Sequence, residues 1–382
     1  MLGALTRFVE GGVTRNEMIR AADLPLRKLA AVEALARHGR ATPALVGSIA
    51  TPPMLLTNGG LLDWISVLER VPGLPQRDAR RSEADTLLRA RLDVQGTTLG
   101  FATSRGGIVD WLLATADVNA AKLVLSRLGA PSWNAEVPRM MRAALALQRE
   151  GAWPTTTANA WGVLALEGFS RVYEAAPVTG TTRVEIGAAA KHVAWGESPS
   201  GAAFQLAWPD ARAVLALQHE GTGAPWALVQ SLAALPLTKA LESGYHIEKT
   251  WEPVSQRTLG QWSRGDVARV RVRVDADAQA SWVVLSDPLP AGATLLGRGL
   301  GGDQLLAGNE RDTGAAWEAF TERGLEVFRR YYEFAPKGQF TAEYTVRLNQ
   351  SGRFEMPPTR VEAMYAPERM GERPNEVVEV AP

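Results

Sequence analysis

The chain has 382 residues, 46% of them apolar and 21% charged, so it is too long for one ordinary core and too apolar for disorder. Its 41 basic and 41 acidic residues cancel, and no net field draws it toward nucleic acid or an anionic membrane. Cysteine is absent, which excludes disulfides, Cys-ligated zinc and a thiol nucleophile within these residues.

MLGALTRFVEGG (1–12) places Arg7 and Glu10 where a secretory signal keeps an unbroken apolar run, and no small-residue cleavage site follows. No stretch of about 18 uncharged apolar residues occurs, so no spanning helix is expected. These features predict a soluble cytoplasmic chain, or one whose true amino terminus lies upstream of Met1. Helical periodicity begins at 24–39, where Leu26, Leu29, Val32 and Leu35 fall three apart and His38-Gly39 supplies a stop. A charged helix with a thin apolar stripe is expected over 76–92, and another helix over 137–151.

Between these helices one motif recurs. GGLLDWI (59–65) returns as GGIVDWL (106–112), and a looser copy, TANAWGVLAL, follows at 157–166. The copies are apolar nearly all round, so each is expected to be buried on more than one side. Thr57-Asn58, Thr103-Ser104 and Thr155-Thr156-Thr157 precede them as amino-terminal caps. Polar outer helices alternating with apolar inner ones at a repeat of about 47–50 residues describe an α/α toroid. Trp64, Trp111 and Trp161 then form a layer of its inner ring. A sharper reading makes the tryptophans a sugar platform, with Asp63 and Asp110 as paired carboxylates. Against it, the third copy has Ala160 at that position, and capping or a bond to a neighbouring helix accounts for the aspartates equally well.

Near Pro177 the period changes. Segments 181–187, 200–208 and 211–221 read as short strands between Gly, Pro and Ser clusters. In DVARVRVRVDAD (266–277), Val270, Val272 and Val274 point one way and Arg269, Arg271 and Arg273 the other. Segment 281–297 reads as a buried strand, a Pro/Gly turn and a second strand start, and 340–365 as two strands joined around Asn349–Gly352. Turns about ten residues apart mark an antiparallel sandwich. Segment 313–339, rich in aromatics, departs from the pattern and reads as a short helix or irregular strand covering one edge or face.

Reactive constellations are scarce. His38, His192, His219 and His246 are scattered without a metal-binding spacing. There is no phosphate-cradling Gly-rich loop, no Gly-x-Ser-x-Gly elbow and no Ser-x-x-Lys pair. Arg264-Gly265-Asp266 spells an adhesion tripeptide but sits where a turn feeds a strand. The residues therefore nominate no catalytic, cofactor-binding or metal site.

The order of helix pairs, small β segment and long sandwich resembles the carboxy-terminal part of bacterial alpha-2-macroglobulins. The resemblance is carried by 62–80, 89–103, 155–170, 244–254 and 282–297, and above all by TAEYTVRLNQSGRFEMPPTRVEAMYAPE (341–368). It implies an α+β multidomain chain: a partial α/α toroid of thioester-domain type (1–177), a CUB-like β segment (178–224) and an antiparallel macroglobulin-like β-sandwich (225–382). It further implies part of a protease trap without enzymatic activity, inactive alone, meeting target proteases through the full-length molecule. A periplasmic or cell-envelope location follows from the same resemblance, with no membrane insertion by this segment. In that family an internal Cys–Gln thioester can bind the attacker and is shielded by the last sandwich domain. This chain has no Cys, so no thioester residue carries over, and the family's Cys-x-x-Gln is expected upstream of Met1. Two other readings remain: a toroid carbohydrate enzyme with an appended sandwich, favoured by carboxylates facing a cleft, and a binding or adhesion module, favoured by a large exposed apolar patch on the sandwich.

Overall fold

A computed structural model describes residues 1–13, 23–102, 114–149, 151–233, 236–297 and 316–382. Helices fill the first part: α1 (Leu2–Val9), α2 (Leu24–Arg37), the short α3 (Pro43–Gly47), α4 (Asn58–Arg70) and α5 (Arg77–Ala90). A hairpin of β1 (Leu92–Gln95) and β2 (Thr98–Phe101) follows, then α6 (Ala116–Arg127), α7 (Val137–Ala146) and α8 (Thr156–Tyr173). The hairpin was not foreseen because four residues per strand are too few for alternation to register. Helix α7 stops before the expected 151, because Gly151 at φ 82° turns the chain and Arg149 and Ala152 exchange backbone hydrogen bonds of 2.8 and 3.1 Å.

The first and third Trp copies begin as their caps predict. Thr57 Oγ1 accepts from Gly60 N, and Thr155 Oγ1 from Ala158 N, each at 3.1 Å. The paired glycines have a packing reason: a Cβ on Gly59 would sit 2.7 Å from Asn119 Oδ1 of α6, and one on Gly60 3.0 Å from Leu26 Cδ2 of α2. Glycine thus lets α4 start between two other helices. Every residue of α4 from Gly59 to Leu68 is buried. One core unites Leu29 and Leu35 of α2, Leu61 and Leu68 of α4, Leu88 of α5, Val124 of α6 and Met140 of α7.

The third copy corrects the expectation of all-round burial. Helix α8 buries Ala158, Gly162, Ala165 and Phe169, while Val163, Leu164 and Val172 stay 60%, 49% and 51% exposed. Among the described residues no helix covers that second face. The second copy, with Asp110 and Trp111 and its Thr103-Ser104 cap, lies outside the described residues.

Strands β3 (Thr181–Ile186), β4 (Ala189–Ala194) and β5 (Leu215–Glu220) form an antiparallel sheet in the order β4-β3-β5. The expected strand over 200–208 does not form. Apolar content alone supplies no ladder partner, and no described strand pairs with this segment.

The remaining strands are β6 (Leu241–Ser243), β7 (Tyr245–Ser255), β8 (Trp262–Ser263), β9 (Val267–Ala276), β10 (Ala280–Pro288), β11 (Thr294–Leu296), β12 (Trp317–Arg323), β13 (Val327–Ala335), β14 (Gly338–Arg347), β15 (Gly352–Phe354), β16 (Thr359–Ala363), β17 (Ala366–Arg373) and β18 (Val378–Ala381). They build a six-stranded sheet, β12-β13-β10-β16-β17-β6, a four-stranded sheet, β11-β14-β9-β7, and a small β15-β18-β8 sheet. Alternation in β9 has its predicted effect: Val270, Val272 and Val274 are fully buried, against Tyr344 and Phe340 of β14 and Val283 and Leu285 of β10. On the outer face Arg271 donates to Glu343 at 2.6 Å and to Glu252 at 2.9 Å, a ladder across three strands.

Within 313–339 the irregular-strand reading holds and the helix reading does not: β12 and β13 form an edge hairpin, and register shifts at Trp317/Glu318 and Glu318/Phe320 break its alternation. The strands expected within 340–365 form as β14 and β16; they lie in opposite sheets, so the connection through Asn349–Gly352 crosses the sandwich.

The helical core and the sandwich core share no residue, and most of 201–214 and 221–240 lacks regular structure. Limited proteolysis is therefore expected to cut first in 201–214 or 221–240 and to release a resistant sandwich starting near residue 241. Early cuts inside β9, β10 or β14, found by mass spectrometry of the digest, would contradict this.

Candidate functional site

Asp63, the one described member of the suspected carboxylate pair, points into the helical core. Lys122 Nζ of α6 donates to its Oδ1. Burial holds the Asp63 carboxyl above the ordinary carboxylate range, an effect partly offset by Lys122 and reinforced by the like charge of Glu33. Glu33 of α2 is itself occupied, accepting from Arg37 Nε at 2.6 Å and Ser66 Oγ at 2.8 Å. Arg37 and Lys122 lie over the Trp161 ring at 4.9 and 5.2 Å from its centroid, which brings α8 into the same cluster. Trp64 is buried in the core, whereas Trp161 is half-buried beneath these cations. Both carboxylates are thus tied to cations or hydroxyls inside the protein, an arrangement that joins four helices.

The other candidates disperse. His219 Nδ1 lies 2.9 Å from Thr182 Oγ1 and His246 Nδ1 lies 2.6 Å from Glu242 Oε1, and among the described residues no cluster of His, Asp and Glu could hold a metal ion. Asp266 of the Arg-Gly-Asp triplet is buried, accepting from Arg257 N at 2.9 Å and Ser263 N at 2.8 Å. It organises the turn before β9 and faces no partner. Among the described residues no helix is long and apolar enough to cross a membrane.

A site that the sequence did not reveal lies on the outer face of the six-stranded sheet. Trp282, Ala319, Phe320, Glu322, Tyr331 and Met364 line a shallow cleft there. Trp282 is 36% exposed, Met364 41% and Phe320 60%, in a row of apolar side chains across β10, β12 and the end of β16. Glu322 at the rim accepts from Arg329 Nη1 at 2.9 Å and Tyr331 Oη at 3.0 Å, and these bonds hold its carboxyl below its ordinary value. The rim is polar but already internally paired, so the cleft offers chiefly aromatic and thioether surface. Trp282 also adopts φ 55°, a left-handed conformation that costs a bulky side chain energy. The ladder to β13 pairs Ser281 with Phe334 and Val283 with Tyr332, stepping over Trp282. Its carbonyl nevertheless accepts from Met364 N at 2.8 Å. In the sequence Trp282 was masked by the apolar run VVL that follows it.

The chain thus combines a helical core, the small β4-β3-β5 sheet and a β-sandwich with an apolar cleft on its outer face. Residues 244–368 match the family model described as the bacterial alpha-2-macroglobulin MG10 domain, a span running from β7 into β17. A comparison with proteins of curated function gave no match. Among solved structures, Salmonella alpha-2-macroglobulin reacted with methylamine is 17% identical with a TM-score of 0.58, over 100% of this chain and 24% of that one. Native E. coli alpha-2-macroglobulin is 17% identical with a TM-score of 0.57, over 100% of this chain and 23% of that one. The E. coli structure from domain MG7 to the C-terminus is 16% identical with a TM-score of 0.57, and this chain covers 58% of it. Within the sandwich, residues 244–368 are thus similar to the bacterial alpha-2-macroglobulin MG10 domain, and the chain as a whole shares the fold of the carboxy-terminal region of those proteins. It spans about a quarter of the length of the first structures it matches.

Removing one partner of the helical ion pair should cost more than removing both. Lys122→Met leaves Asp63 buried and unpaired and is expected to destabilise the helical unit by about 3 kcal/mol, whereas Asp63→Asn/Lys122→Met should be close to neutral, read by urea denaturation. The sign with pH follows from the raised Asp63 pKa. The unfolded chain releases this proton first as pH rises, so Asp63 loses stability between its ordinary value of 3.8 and its higher folded value. Asp63→Asn should flatten that descent in melts taken across the acid range. At the cleft, Trp282→Gly should be more stable than Trp282→Ala by roughly 1 kcal/mol, since glycine alone adopts this φ without strain.

Proposed function

We propose that the chain is the carboxy-terminal, non-catalytic part of a bacterial alpha-2-macroglobulin-like inhibitor of broad endopeptidase specificity, a protease trap. The MG10 match over 244–368 carries this reading, and the agreement of fold along the whole chain supports it. On this reading residues 1–177 are part of an α/α toroid of thioester-domain type, 178–224 a CUB-like segment and 225–382 the final sandwich. The enclosed α4 and the half-covered apolar α8 fit a ring whose closure needs more helices than those described. The cleft around Trp282 and Met364 suits packing against another domain of the trap, burying apolar surface that would otherwise face water.

The chain contains no Cys, so a Cys–Gln thioester is not among its residues. Target proteases are met by the assembled inhibitor, in the periplasm or cell envelope. The isolated chain shields no protease. Trypsin mixed with an excess of the purified chain is expected to keep full activity on both a protein substrate and a small peptide substrate. Loss of the first activity with retention of the second would show that these residues trap by themselves. Sequencing the DNA upstream of the Met1 codon tests the family reading separately. Macroglobulin-like domains and a Cys-x-x-Gln are expected there, and a locus without them would remove the basis for the inhibitor.

A further inference from the structure

One cluster in the sandwich core has the composition of a reaction centre. Strand β7 turns Tyr245 and Ile247 inward, and the next inward residue is Lys249, whose side chain is 4% exposed. Its Nζ donates to Asp287 Oδ1 of β10 at 2.6 Å and to Asn375 Oδ1, in the segment before β18, at 2.9 Å. Asp287 is fully buried and also accepts from Tyr344 Oη at 2.7 Å and Thr359 Oγ1 at 2.6 Å. Thr359 Oγ1 lies 3.2 Å from Asn375 Oδ1 as well, and Asn375 Nδ2 donates to Pro357 O at 2.6 Å. The carboxamide orientation is thereby determined, because an ammonium can only donate and a backbone carbonyl can only accept. A buried lysine thus lies within hydrogen-bond distance of both a carboxamide and a buried carboxylate, and Thr359 bridges the latter two.

We propose that the sandwich carries an autocatalytic modification site, at which Lys249 Nζ and Asn375 Cγ join in an internal amide cross-link with Asp287 as the proton acceptor. The Lys249 ammonium passes one proton to Asp287, leaving a neutral amine beside the carboxamide. Attack of Nζ on Cγ forms the new C–N bond, and the Thr359 hydroxyl donates to the oxygen as negative charge develops on it. A second Nζ proton moves to Nδ2, the Cγ–Nδ2 bond breaks, and ammonia leaves on the solvent-facing side of Asn375. Ammonia then takes the proton held by Asp287. Overall, one ammonium and one carboxamide become one secondary amide and one ammonium ion, with no oxidant and no cofactor. The pre-set contact favours the step, because it replaces a bimolecular encounter. The bond would join residues 126 positions apart, tying the first long strand of the sandwich to the segment that leads into its last strand.

Mass spectrometry of the purified full chain tests this. The intact mass is expected to be lower than the sequence mass by one ammonia. A tryptic digest should contain one branched peptide, segment 240–257 uncut at Lys249 and joined to segment 370–382. Asn375→Ala, which keeps the Lys249–Asp287 pair, should restore the full sequence mass of the variant and cleavage at Lys249. Asp287→Asn should also lack the branch, and the result with Asn375→Ala stands even where the Asp287 variant fails to fold. An intact mass equal to the sequence mass would overturn the proposal, as would loss of ammonia without the branched peptide. A branch that persists in Asp287→Asn would overturn the role given to Asp287.

Discussion

Burying Lys249 inside the sandwich is possible only because Asp287 reaches it from the opposite sheet. Two charges taken out of water cost several kcal/mol each unless they meet, and Tyr344, Thr359 and Asn375 satisfy what the ion pair leaves over. The valines of β9 supply most of the apolar burial, but an apolar stripe tolerates sliding more readily than a charge does. A shift of β7 by one residue would turn Lys249 outward and leave Asp287 buried alone. This pair therefore sets how the two sheets lie on each other, while the valines make their closure favourable.

The helical unit follows the same rule with different parts. Asp63 on α4 and Lys122 on α6 meet in a core otherwise made of leucines and valines, and Glu33 with Arg37 and Ser66 adds α2. The Gly59-Gly60 pair allows the close approach that brings these groups together. Asp63, which the sequence offers as one half of a possible acid/base pair, is packed as part of an interhelical clamp. The aromatic beside it, Trp161, lies half-buried beneath the Arg37 and Lys122 cations.

The apolar cleft on the sandwich shows why surfaces are harder to read than cores. A core stripe repeats along one strand, so the Val270–Val274 alternation was visible directly. The cleft takes Trp282 from β10, Phe320 from β12 and Met364 from the chain just beyond β16, and nothing local marks them as neighbours. The φ of Trp282 is likewise a product of its sheet environment. Pairing on both sides holds its neighbours extended, and the one residue between them absorbs the misfit.

Local pattern decided a definite set of features: the helices around 24–37, 77–90 and 137–146, the caps at Thr57 and Thr155, the inward valines of β9 and the strand character beyond residue 241. The absence of cysteine also decided that no thioester is held in these residues. These follow from periodicity, cap chemistry and composition, which act over a few residues. Tertiary structure alone decided the rest. It placed β14 and β16 in opposite sheets, left 200–208 without a ladder, made 316–335 a hairpin, exposed one face of α8 and brought Lys249, Asp287 and Asn375 into contact. Each of these depends on which distant segment supplies a hydrogen-bond partner or covers an apolar face, and that is a property of the assembled core, not of the residues taken in order.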